Sequence, residues 1–133
     1  MEIRRLSAVD PEEAGGDVQE STVLKREGIV GDIGDRVVTV SEVTFRPGER
    51  TRLHTHDYGQ VLYVTRGEGV VATVDETHTV CEGDLIFVPP DEVHWHGTAR
   101  DDPVEFAHIT YVVRDAVGEG TTAVGDIVDP AGE

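Results

Sequence analysis

Apolar residues along this chain recur at every second position in short runs, and no stretch holds a 3.6-residue period over a dozen residues. Alternation at a period of two is the mark of strands with one face buried. The clearest run is 36–46 (RVVTVSEVTFR). Shorter ones occur at 2–6, 21–26, 52–56, 60–65, 69–74, 77–81, 84–88, 93–97 and 104–113. Turn chemistry separates them: PGERT after residue 46, Asp75-Glu76 between two runs, Gly83-Asp84, and Pro89-Pro90-Asp91. Residues 10–20, rich in Gly and Glu, predict a loop, and the Gly- and acid-rich tail after Asp115 predicts a mobile terminus or a short edge element. Valine supplies 22 of the 133 residues, and its stiff branched side chain suits pleated surfaces. The pattern predicts an all-β sandwich or barrel.

Composition narrows the class. A chain of 133 residues fits one domain, 1–133, and buries a core without staples. With 11 Lys+Arg against 27 Asp+Glu the net charge is −16. Such a surface repels phosphate, so neither nucleic acid nor an anionic membrane is an expected partner. No apolar run reaches the ~18 residues of a membrane span. The opening MEIRRLSAVDPEEAGG carries no apolar leader-like stretch, and the single cysteine, Cys81, cannot close an internal disulfide. A cytoplasmic protein is expected.

The candidate chemistry lies in the histidines. Five of the six fall in three groups: His54 with His56, His94 with His96, and His108. On a strand, residues i and i+2 share a face, so each HxH pair presents two imidazoles to one side. Gln60, on the next run, can join the first pair. Imidazoles so spaced suit a first-row divalent metal, although single strand histidines are more often surface or hydrogen-bonded residues. His78, alone in a hairpin, reads as solvated.

The segment from Gly48 through His54, His56 and Gln60 to Gly67 resembles the first cupin motif, G(x)5HxH(x)3-4E(x)6G. The segment Gly83-DLIFV-Pro89-PDEV-His94-WHG-Thr98 resembles the second, G(x)5PxG(x)2H(x)3N. The resemblance spans roughly residues 48–98. It implies a double-stranded β-helix (jelly-roll) cupin barrel, its core about 36–113, flanked by an N-terminal edge strand and loop at 1–35 and an acidic tail at 114–133. It also implies a homodimer and one divalent transition metal held by His54, His56, Gln60 and His94. Three positions depart from the motifs: Gln60 stands where the family has Glu, Asp91 where it has Gly, and Thr98 where it has Asn. The last two predict only local change. Gln60 leaves four neutral donors, so the metal keeps its full charge, favours anionic ligands and lowers the pKa of a bound water.

His96 shares the face of His94 and is expected inside the barrel as an acid/base group. His108, on EFAHITY, is expected to meet it or a bound ligand. Ser41, Val43, Phe45, Leu62, Val64, Phe87 and Thr110 are candidate pocket walls. Arg52 reads as an exposed arginine that can reach the barrel mouth. Trp95 is expected outside the barrel at a dimer contact, Tyr63 and Tyr111 are ambiguous, and Cys81 is expected to be buried and inert.

The strings HTHDYGQVLYVTRGEG and HWHGT, with the start MEIRRL, resemble a group of small cupins that includes bacterial hydroxynitrile lyases and carboxymuconolactone decarboxylase-associated cupins. That likeness favours Mn or Fe among Mn, Fe, Zn, Ni, Co and Cu. It implies a lyase in which His96 and His108 move the proton. A metal-dependent dioxygenase on a small organic substrate and a non-catalytic small-molecule binding or sensing module are the alternatives, because the fold fixes no reaction. Of the eleven cations only Lys25 is a lysine. Abundant acid with Arg in place of Lys predicts a halophilic protein.

Overall fold

A computed structural model describes residues 1–99, 103–117 and 120–125. Its strands are β1 (Glu12–Ala14), β2 (Val23–Ile33), β3 (Arg36–Phe45), β4 (Leu53–His56), β5 (Gln60–Thr73), β6 (Thr77–Cys81), β7 (Leu85–Val88), β8 (His94–Gly97), β9 (Phe106–Asp115) and β10 (Thr121–Gly125). All pairings are antiparallel. One sheet runs β1-β2-β3-β9-β5-β7 and the other β6-β5-β8-β4-β10. The long strand β5 belongs to both. Its first part pairs with β7 and β9, and its second part with β6 and β8.

The bend in β5 has a local cause. The register against β9 shifts between Val64 and Arg66, and Gly67 follows with φ 78°. A Cβ on Gly67 would lie 1.7 Å from the carbonyl oxygen of Glu105, so only glycine lets β9 approach this closely. The sequence pattern predicts two strands, at 60–65 and 69–74. Hydrogen bonding carries straight through the bend and makes them one.

Between the sheets Val23, Phe45, Leu62, Val64, Val71, Val80 and Phe106 form the main core. The rings of Phe45 and Phe106 stack at 5.9 Å. Leu62 and Val64 are therefore core residues. Phe87, expected in the pocket wall, points outward and is 64% exposed, because its neighbours Ile86 and Val88 take the inward face.

The chain ends differ from the pattern. Residues 2–6 form no strand; a short 3-10 turn follows at Leu6–Ala8, and the first strand, β1, lies inside the predicted loop. Arg46 pins β1, bonding Glu13 at 2.7 Å and Glu49 at 2.9 Å, an ionic anchor that alternation cannot reveal. The predicted tail 114–133 contributes the end of β9 and the edge strand β10; residues 118–119 and 126–133 of it lie outside the described residues. Cys81 is exposed, not buried. It ends β6, where the strand faces water, and the acidic Asp84, Glu68 and Glu82 beside it raise its thiol pKa. Trp95 is 7% exposed and packs with Val70 and Ala72 beneath the Arg50 guanidinium, 4.5 Å from the ring, so it is not a surface contact.

Candidate metal centre

The register of the second sheet gathers the histidines. β4 and β8 pair with His54 directly opposite His94, and β10 pairs on the other edge of β4 with Thr121 opposite His56. The i, i+2 rule then puts His56 and His96 on the same inward face. Nitrogens of His54, His56 and His94 lie within 4.8 Å of one another, and all three side chains are buried. Gln60, at the start of β5, faces them from the first sheet.

Hydrogen bonds fix the rings. Nδ1–H of His54 donates to the Arg52 carbonyl at 2.8 Å, and Nδ1–H of His94 to the Glu92 carbonyl at 2.9 Å. A carbonyl only accepts, so the proton sits on Nδ1 and Nε2 keeps its lone pair. His56 Nδ1 meets the Thr121 hydroxyl at 2.7 Å. Nε2 of His94 is a buried acceptor without a hydrogen-bond partner, and Nε2 of His56 and Oε1 of Gln60 are buried polar atoms that also lack one. Unpartnered buried polar atoms are rare in folded proteins, and a cluster of them beside three close imidazoles fits a cation. Electrostatics agree. Burial and the neighbouring His94 push His54 down to about 3 and His56 down to about 4, and burial lowers His94 as well. All three imidazoles are neutral at pH 7, the form that binds metal.

His96 and His108 form a second layer. Nδ1 of His96 and Nε2 of His108 are 3.0 Å apart, and Nδ1 of His108 is 3.2 Å from the Thr110 hydroxyl. Burial is the main cause that holds His96 well below its ordinary pKa and His108 at about 4. His96 lines a cavity of about 300 Å³ between the sheets, together with His54, His56, Gln60 and Thr110. His108 does not line it; it is fully buried behind His96, against Phe45 and Phe106. His78 is exposed and paired with Glu76 at 3.1 Å.

Ser41, Val43, Phe45 and Thr110 are in the cavity wall as expected. Arg52 is half-buried. Its guanidinium bonds the carbonyls of Asp17 and Gln19 and clips the N-terminal loop over the cavity. Asp91, at the motif's glycine position, has φ 67°, the one non-glycine residue of the described chain with positive φ. The backbone there keeps the glycine-like conformation that Asp tolerates. Thr98, in the Asn position, is buried and bonds the Glu49 carbonyl at 3.0 Å. Sequence reading missed Thr121, Lys25, Gln19 and Val18, all near the site. No spacing signal marks them, because their proximity comes from strand pairing over long sequence distances.

Two curled antiparallel sheets closing on an inward histidine cluster define a small jelly-roll barrel protein. The chain belongs to the cupin family: the family model described as "Cupin domain" matches residues 41–113. Over 67 residues it is 45% identical to the (R)-mandelonitrile lyase of Granulicella tundricola; the match covers 47% of this chain and 49% of that protein, about half the length of each. Among solved structures it resembles a cupin-like protein from Thermotoga maritima, 31% identical with TM-score 0.72, covering 90% of this chain and 87% of that one. The polyketide cyclase RemF from Streptomyces resistomycificus, 22% identical with TM-score 0.70 over 90% of this chain and 88% of its own, shares the fold.

Proposed function

We propose that this cupin is a metal-dependent lyase that reversibly cleaves a C–C bond of the hydroxynitrile type. The observation that carries the reading is a neutral-donor cluster that shares one cavity with His96, which His108 backs from behind. His54, His56, Gln60 and His94 would hold a divalent metal, with Mn or Fe favoured, and the partial similarity to a mandelonitrile lyase supports the reaction class. When bound, the metal supplies a Lewis-acid centre that polarises an oxygen or cyanide group of the ligand.

The chain's own residues handle the proton. With Nδ1–H of His96 donating to Nε2 of His108, and Nδ1–H of His108 donating to Thr110, Nε2 of His96 is left bare as a base. His96 takes the hydroxyl proton of the substrate, the C–O bond becomes C=O, and the C–CN pair leaves on cyanide. The proton then returns from His96 to cyanide, giving an aldehyde and HCN with no redox change. Val43, Phe45 and Val23 offer an apolar wall for the organic part. Lys25, the chain's sole lysine, also lines the cavity, with its ammonium paired to Glu27 at 3.2 Å.

The test is anaerobic turnover of mandelonitrile by Mn(II)-loaded protein, followed as benzaldehyde release. Wild type should turn over. His96→Ala should keep its metal and lose about 10²- to 10⁴-fold in rate. Unchanged turnover in His96→Ala contradicts the acid/base role, and an absolute need for O2 contradicts the lyase.

The finer character of the molecule belongs to the same reading. It is a homodimer joined through the outer face of the first sheet. There the register sets Phe87, Val61, Tyr111, Val40 and Ile29 side by side across five strands. Leu85 and Tyr63, 71% and 44% exposed, flank that row. In a chain of −16 a row without charged side chains is where two copies meet with least repulsion. The acidic, lysine-poor surface suits a salt-rich cytoplasm.

A further inference from the structure

The three histidines of the candidate centre are not held alike. His54 and His94 each donate Nδ1–H to a carbonyl two residues back, Arg52 and Glu92, within the local backbone. His56 relies on a side chain 65 residues away, the Thr121 hydroxyl at 2.7 Å. The other contacts of that hydroxyl are built around the same ring. Tyr58 Oη lies 3.1 Å from Thr121 Oγ1, and the Tyr58 ring stacks on His56 at 4.8 Å. The entry to β10 is tied to the same loop: Asp57 N–H donates to the Gly120 carbonyl at 3.0 Å, and Gly120 N–H donates to the Asp57 carboxylate at 3.1 Å.

The element carrying Thr121 is lightly held. Among the described residues β10 is an edge strand that pairs only with β4, and all five of its residues are exposed. It buries no apolar side chain, so its docking rests on backbone bonds, the Asp57 tie and Thr121. Segments of this kind open locally at low free energy. A hydroxyl also differs from a carbonyl in that it can donate. Facing His56 Nδ1 as a donor, it would leave the ring proton on Nε2 and block that nitrogen as a ligand.

We infer that β10 is a strap over the metal site and that Thr121 is the positioning residue that fixes the ring of His56, so that metal binding and strap docking reinforce each other. The inference rests on the metal reading above. By linkage, whatever the docked strap adds to metal affinity, bound metal adds to strap docking. Loss of an outer-shell partner of a metal-bound histidine costs about 10- to 100-fold in affinity.

Two variants and two readouts test it on the full chain. Co(II) affinity is measured by competition with a chelating dye for wild type, Thr121→Val and Thr121→Ser. Amide exchange of residues 121–125 is followed with and without Co(II). Thr121→Val keeps strand shape and removes the hydroxyl. It should weaken Co(II) binding about 10- to 100-fold, while Thr121→Ser stays within about threefold of wild type. Co(II) should slow exchange of 121–125 in wild type and have little effect in Thr121→Val. A Thr121→Val protein that folds and binds Co(II) as tightly as wild type overturns the inference and leaves the metal reading intact. Exchange at 121–125 that ignores Co(II) in a wild type that binds it does the same. A wild type that binds no Co(II) overturns both.

Discussion

In the proposed metal site Gln60 sets the charge. Four neutral donors subtract nothing from a dication, whereas the glutamate that cupins place there subtracts one charge. Gln60→Glu should therefore tighten divalent metal binding by about tenfold or more and weaken binding of anionic ligands such as cyanide or azide to the loaded protein. Titration calorimetry of metal, then of anion, checks both directions. The buried imidazoles also make the metal-free protein acid-sensitive. His54, His56 and His108 hold folded pKa values of about 3, 4 and 4 against an ordinary 6.5, chiefly through burial. Between those values the unfolded chain binds protons that the folded chain does not, so stability falls as pH falls. Their contribution is complete above about pH 6.5 and drains away toward pH 4 and below. A melting temperature of metal-free protein that stays flat from pH 7 to pH 4.5 would contradict this burial.

At the scale of elements, close approach of strands limits what the chain tolerates. Gly67→Ala must adopt positive φ and meets Glu105 backbone at 1.7 Å, whereas Gly83→Ala, also at positive φ, meets nothing within 4 Å. Urea unfolding should show a loss of about 3 kcal/mol or more for Gly67→Ala and about 1 kcal/mol for Gly83→Ala. Equal losses would mean that conformation alone, and not the β5–β9 approach, makes Gly67 necessary. The same contrast explains what could be read in the sequence. Strands 77–81, 84–88 and 93–97 fall within a residue or so of their observed bounds because alternation and Gly or Pro turns are local signals. The His54–His56 and His94–His96 faces follow from the same parity. β1 is not legible, because Arg46 anchors it through a contact distant in sequence, whereas β10 is the short edge element that the tail predicts, with only its partner β4 hidden from the sequence. Cys81 and Phe87 were misplaced for a related reason: an apolar residue type says nothing of which face of an edge strand meets water.

At the scale of the molecule, the charge and the apolar sheet face act together. The −16 surface repels itself in dilute buffer, and in molar salt the Debye length falls to about 3 Å. The melting temperature should rise from low salt to molar KCl, and a flat or falling trend would contradict a salt-adapted surface. Sedimentation should give a dimer for wild type and a monomer for Phe87→Asp combined with Tyr111→Asp, since the pair puts charge at one end and in the centre of the apolar row. A double variant that remains dimeric would place the contact elsewhere. The central claim is that one divalent metal sits among His54, His56, Gln60 and His94. Elemental analysis of protein exposed to Mn(II) or Fe(II) and then freed of loosely bound ions tests it most directly. One metal ion per chain is expected in wild type and less than about a tenth of that in His94→Ala. Wild type without metal, or His94→Ala with a full equivalent, would contradict it.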